Sequence, residues 1–149
     1  VDISNLLIEI VKSNTEQAKG KDISLILEEV SKVIKVKVDK NKAERVIDNL
    51  ISNAIKFSPS GTKVKVLSKI VDDMFRISII DEGPGIKESE YDLVFKKFSK
   101  LSNQPTGKET STGLGLSIVK SFVEAMGGNV GFSSEVGKGS EFYVEFNLA

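Results

Sequence analysis

Ser111-Thr112-Gly113-Leu114-Gly115-Leu116-Ser117-Ile118-Val119-Lys120 sets two glycines, one residue apart, against the start of an apolar-periodic run. Glycine reaches φ > 0 without steric cost and lets a ligand come close to the backbone. Leu114, Ile118, Phe122 and Ala125 recur at helical spacing, so Gly113 and Gly115 stand where a loop becomes a helix N-terminus. Such an end presents unpaired N–H groups and a positive dipole to an anion, a phosphate above all. A Gly-x-Gly alone is as readily a turn, so the reading depends on the stretches that fold beside it.

Immediately upstream, residues 102–112 are polar and carry Pro105 and Gly107, the composition of a mobile cover that closes over a nucleotide. Before them, Phe95 and Phe98 sit at i, i+3 on a short helical stretch over 88–98 and plug the core, and Lys100 can point at a polyphosphate. Further back, Arg76-Ile77-Ser78-Ile79-Ile80 is an apolar strand running into Asp81-Glu82-Gly83-Pro84-Gly85-Ile86. A carboxylate at a strand end is partly buried and needs a partner. An exocyclic amine at purine C6 would be one, so Asp81 selects adenine over guanine, which shows an acceptor there. A charge-assisted hydrogen bond of that kind is worth about 1.5–3 kcal/mol.

Farther upstream, Asp39 is a candidate N-cap for a helix to Phe57, closed by Ser58-Pro59-Ser60-Gly61. Ala43, Val46, Ile47, Leu50, Ile51 and Ala54 form its buried stripe, bordered on one side by Asn49, Asn53 and Lys56 at i, i+4 and i+7. Two asparagines in register weaken a helix without structural gain. They are either an incidental polar face or oxygen ligands for Mg²⁺, which takes few ligands from protein and fills the rest with phosphate and water. Lys56, one turn on, would pair with a phosphate oxygen.

The remaining pattern gives a first helix over 3–20, strands over 23–30, 33–38, 62–70 and 74–80, a third helix ending at Gly127-Gly128, and strands over 130–134 and 141–148. Mostly hairpin-type strands without regular βαβ alternation predict an α+β fold: a two-layer sandwich with about three helices on one face of a mixed sheet.

At 149 residues, 40% apolar and 28% charged, the chain has the balance of one domain over residues 1–149. Its 21 basic and 21 acidic residues leave no electrostatic footprint for nucleic acid and no basic run for a membrane surface. Zero cysteine excludes disulfides and fits an intracellular setting; zero histidine removes the usual base of serine triads and the usual zinc ligand. No apolar run approaches a bilayer span, and Val-Asp-Ile-Ser is no signal peptide. Beginning at Val1, the chain reads as a mature form or an excised piece. Competing phosphate motifs fail: Gly107-Lys108-Glu109 and Gly137-Lys138-Gly139 lack the P-loop Ser/Thr, and Ile118 replaces the third dinucleotide glycine.

Asn49-Leu50-x-x-Asn53-Ala54-x-Lys56-Phe57-Ser58, then Asp81-x-Gly83-x-Gly85-Ile86, Phe95-x-x-Phe98 and Thr112-Gly113-Leu114-Gly115-Leu116 fall in that order. Together with the tail 127–142, the set resembles the catalytic, ATP-binding domain of bacterial sensor histidine kinases over essentially the whole chain. The resemblance implies a Bergerat-type sandwich that binds ATP and Mg²⁺ and donates the γ-phosphoryl group to a histidine. Carried over by position, Asn53 with Asn49 would ligate the metal, and Asn49 and Lys56 would be catalytic. Lys56 and Lys100 would touch phosphates, Asp81 would read the adenine amine with Ser140 beside it through water, and Phe57 and Ile86 would line the base. Thr112, Gly113 and Gly115 would hold phosphates, with Gly83, Gly85, Phe98, Leu101, Leu114 and Leu116 completing the nucleotide site.

The family's hydrolysing relatives place a glutamate base where Asn49 stands, which favours kinase over ATPase. The acceptor histidine lies on a separate dimerisation domain in the family, and this chain has no histidine. It therefore cannot autophosphorylate alone. The implied partners are that dimerisation domain and a downstream response regulator, with this domain monomeric, cytoplasmic and free of membrane contact even if its parent is membrane-anchored. The alternatives are a nucleotide-sensing interaction module and an ATP-gated clamp ATPase. Ser111 and Thr112 stand where the family often has a further glycine, a departure that bears on the lid.

Overall fold

A computed structural model describes residues 1–28, 32–96 and 115–149. Asp2 caps the first helix, α1 (Ile3–Gly20), through its carboxylate on the Asn5 N–H, and Asp39 caps α2 (Lys40–Phe57) on the Lys42 N–H in the same way. Each of these side chains satisfies one orphan donor of its helix. The strands are β1 (Ser24–Leu27), β2 (Lys63–Val71), β3 (Met74–Asp81), β4 (Asn129–Glu135) and β5 (Gly139–Asn147); α3 (Gly115–Ala125) precedes β4. Residues 88–93 form a 3₁₀ helix where a short helical stretch is expected.

The five strands run in the order β1-β2-β3-β5-β4. β1 and β2 are parallel, joined by α2 as a crossover, and the other three pairings are antiparallel. The sheet is mixed and the fold is α+β, as the sequence pattern implies. One local expectation is corrected: the alternating run 33–38 is no strand, and Lys35 and Val36 make only isolated bridges, to Asp2 and Leu148. The single crossover, β1-α2-β2, is the one βαβ unit among the described strands.

Strand alternation sorts the sheet into two faces. Val64 and Val66, Ile77 and Ile79, and Phe142 and Val144 point toward the helices and pack with Leu7, Val46, Leu50, Ile51 and Val123 into one apolar cluster. Lys63, Lys65, Arg76, Tyr143 and Glu145 lie on the opposite face, which none of the described helices covers. There the Arg76 guanidinium stacks 4.5 Å from the Tyr143 ring centre and pairs with Glu145 at 2.9 Å, a ladder of side chains on neighbouring strands. The layering leaves the end of α2 and the end of β3 at the same border of the sandwich.

Candidate functional site

Asp81 ends β3 and is only 7% exposed. Its Oδ1 accepts the Gly83 N–H at 2.8 Å, and the Ser140 backbone N–H also supports the carboxylate. Burial nevertheless outweighs both bonds and pushes its pKa up to about 6. The loop that follows is built around close backbone approaches. A Cβ on Gly83 would stand 2.8 Å from the Phe57 carbonyl oxygen and 2.9 Å from Asp81 Oδ1. Glycine is therefore what lets the last turn of α2 close on the aspartate. Gly139, at φ +107°, leaves room for the Asp81 carbonyl in the same way from β5.

On α2, Asn49, Asn53, Lys56 and Phe57 are half-buried along the border of the apolar stripe. Neither asparagine side chain has a hydrogen-bond partner among the described residues. Half-buried as they are, both amides reach solvent and can be offered to a ligand without breaking a protein contact. Their neutral oxygens suit a hard cation that arrives already carrying phosphates. Among the described residues no three acidic, histidine or cysteine side chains gather to hold a metal without such a ligand. From α1, the Lys21 ammonium donates to the Ile55 and Lys56 carbonyls at 2.9 and 2.7 Å, closing the C-terminal end of α2.

Ile86 is 4% exposed and belongs to the core cluster, and its N–H donates to Ser134 Oγ at 2.8 Å. Ser140 lies directly across from Asp81 in the β3-β5 register. Phe95 meets the rings of Phe132 and Phe142 edge-on, at 5.9 and 6.3 Å, and plugs the core as its spacing implies. Gly115 and Leu116 open α3, which packs against α2, with Leu116 against the core. Phe98, Lys100, Leu101, Thr112, Gly113 and Leu114, with the cover over 102–112, lie outside the described residues. The structure thus gathers Phe57, Asp81, Gly83 and Ser140 into one corner, next to the turn of α2 that carries Asn53 and Lys56.

Sequence reasoning misses two members of this corner. Lys21 acts across 34 residues and carries no local signal. Ser134 is visible only as part of the glycine-rich tail.

The family model described as histidine kinase-, DNA gyrase B-, and HSP90-like ATPase matches residues 38–149. The chain belongs to this ATPase family. Within the family its similar proteins are sensor kinases: the sensor histidine kinase TmoS of Ectopseudomonas mendocina is 38% identical over 149 residues, 99% of this chain and 15% of that protein. The sensor histidine kinase WalK of Bacillus subtilis is 33% identical over 89% of this chain and 22% of its own length. The ATPase-family chain thus spans well under a third of these relatives. A solved structure of full-length ShkA in complex with AMPPNP superposes with a TM-score of 0.83 at 32% identity, covering all of this chain and 31% of that one. The catalytic domain of the histidine kinase ThkA superposes at 0.84 with 26% identity, covering 99% of this chain and 93% of that one. Its fold is that of histidine-kinase catalytic domains.

Proposed function

We propose that this chain binds Mg-ATP and presents its γ-phosphoryl group to a histidine on a separate dimerisation domain, as one step of two-component signalling. The observation that carries the reading is the Asp81 corner. A carboxylate 7% exposed, held by backbone N–H groups and facing the end of a helix whose two asparagines have no side-chain partner among the described residues, makes sense as half of a nucleotide site. The relative solved with AMPPNP supports the ligand class.

In this reading Asp81, with Ser140 beside it, accepts the adenine amine, and Phe57 and Ile86 line the base. Asn49 and Asn53 offer oxygens to the metal, and Lys56 and Lys100 meet the phosphates. Gly113 and Gly115, with Thr112, hold the phosphate chain from the helix end. Gly83, Gly85, Phe98, Leu101, Leu114 and Leu116 complete the enclosure. The chemistry supplied by bound Mg²⁺ is neutralisation of phosphate charge. The protein's share of phosphoryl transfer is then orientation and electrostatics, since the chain has no histidine and the nucleophile must come from another domain. Asn49, an amide that cannot act as a base toward water, favours transfer over steady hydrolysis by a clamp.

The downstream partner is a response regulator and the setting cytoplasmic. Among the described residues no helix is long and apolar enough to cross a membrane.

Isothermal titration decides the nucleotide reading. Mg-ATP should bind at least about tenfold more tightly than Mg-GTP, the value of one charge-assisted bond made to one base and denied to the other. Equal affinities, or no binding of either, would overturn it.

A further inference from the structure

The face of the sheet turned away from the helices carries its charges in separate rows. On β2, Lys63, Lys65 and Lys69 are exposed, and none has an ion-pair partner among the described residues. On β5, Glu141 is likewise unpaired, whereas Glu145 is held by Arg76 of β3. Half-buried apolar groups separate the rows: Leu67 on β2, Ile80 on β3 and the Tyr143 ring on β5. That ring lies along the sheet because its neighbour on β4 is Gly131, where a Cβ would run into the phenol. The face is therefore flat, with a cationic flank, an apolar middle and an anionic flank.

Strand order sets the two flanks symmetrically. β2 and β5 are the two neighbours of β3. The register lines up Lys65, Ile80 and Glu141 in one row and Leu67, Ser78 and Tyr143 in the next. A second copy turned about an axis that runs along β3 in the plane of contact lays its β5 over the first copy's β2. Lys65 then meets Glu141 of the second copy, Leu67 meets its Tyr143, and Ile80 meets Ile80. The same contacts recur with the copies exchanged, as an isologous interface requires. Facing sheets pack about 10 Å apart with their strands within about 30° of alignment, a gap that a lysine and a glutamate span together. Five strands wide and seven residues deep at β4, the face covers about 550 Å² per copy at ordinary strand spacings, the small end for specific association.

We infer that this chain pairs weakly with a second copy of itself through the open sheet face, Lys65 of each copy on Glu141 of the other. This departs from the monomer that the resemblance implies. Charge complementarity decides the occupant, because a face with both signs in separate rows fits its own image better than a partner of one sign. The inference is independent of nucleotide binding.

Sedimentation equilibrium of the full 149-residue chain over about 10–500 µM tests it, with melting curves beside each variant. In low salt the average mass should rise with concentration from one chain toward two. Between about 0.05 and 0.5 M salt the association constant should fall about threefold or more. Lys65→Glu and Glu141→Lys should each weaken association at least about tenfold, because each sets like charges together twice per dimer. The double variant Lys65→Glu/Glu141→Lys restores opposite charges at both contacts and should return to within about threefold of the parent. Should a reversal unfold the chain, Lys65→Gln, which removes the attraction without adding repulsion, takes its place with an expected loss of about threefold. A chain that stays single over the whole range, an association indifferent to the charge at Lys65 and Glu141, or a double variant no better than the single ones would overturn the inference. The first of these leaves the face to solvent or to a segment beyond residues 1–149.

Discussion

At the scale of the residue, burying Asp81 costs stability that its proposed contact with the base would explain. Its folded pKa near 6 lies above the ordinary aspartate value of 3.8, so the unfolded chain gives up this proton first as pH rises. Stability should therefore fall as pH climbs from about 4 to 6 and level off above, by about 3 kcal/mol for a shift of that size. Asp81→Asn should remove that slope and raise the unfolding free energy by about 1–3 kcal/mol at pH 7.5, read by urea denaturation at a series of pH values. ATP affinity should move oppositely. The ionised carboxylate is the stronger acceptor, so binding should weaken below pH 6 in the parent and be weak but flat in Asp81→Asn. An asparagine variant both less stable and equally good at binding ATP would contradict both halves. Gly83 belongs to the same scale. A Cβ 2.8 Å from the Phe57 carbonyl has no flexible side chain to displace, so Gly83→Ala should cost about 1–3 kcal/mol and part α2 from Asp81, seen as lost ATP affinity in titration.

At the scale of the element, α2 carries the residues proposed to face the phosphates, and its ends are held by different means. The N-terminal end is capped by Asp39, three residues from the N–H it accepts. The C-terminal end depends on Lys21, brought in by α1. A cation on the last carbonyls of a helix stabilises it by about 1 kcal/mol, and Lys21→Ala should lower the denaturation free energy by that amount. The contrast explains what was legible beforehand. Helix α2 could be read because its stripe, its cap and its closing turn are contiguous in sequence, and Asp81 because the strand before it is apolar. Lys21 could not, since its partners are 34 and 35 residues away and depend on helix packing, and neither could the bond from the Ile86 N–H to Ser134, which spans 48 residues and depends on strand register. The run 33–38 misled for the complementary reason. It alternates like a strand, but its neighbours are the two ends of the chain, which give it single bridges and no ladder. The parallel β1-β2 pair was equally hidden, because a β1 of four residues is too short for its pattern to announce a crossover.

At the scale of the whole molecule, the proposed transfer places the candidate site at one border of the sandwich and, with no histidine in the chain, calls for an acceptor on another domain. Incubated alone with labelled Mg-ATP, the chain should gain no acid-labile phosphoryl group; adding the dimerisation domain of its own parent should produce one on histidine. Saturating Mg-ATP should also raise the unfolding free energy, by about 2.7 kcal/mol at a hundred times Kd, which a melting series in nucleotide concentration would show.

The two chain ends frame the same segment. Val1 exchanges backbone hydrogen bonds with Val36, and Ala149 donates to Lys35, the adjacent residue. Polypeptide entering before Val1 and leaving after Ala149 would therefore pass through a single doorway on one rim of the fold. That doorway lies beside the Met74–Asn147 end of the β3-β5 pair, whereas Asp81 and Ser140 close its opposite end, so a segment attached at either terminus joins the fold away from the corner that Asp81 occupies.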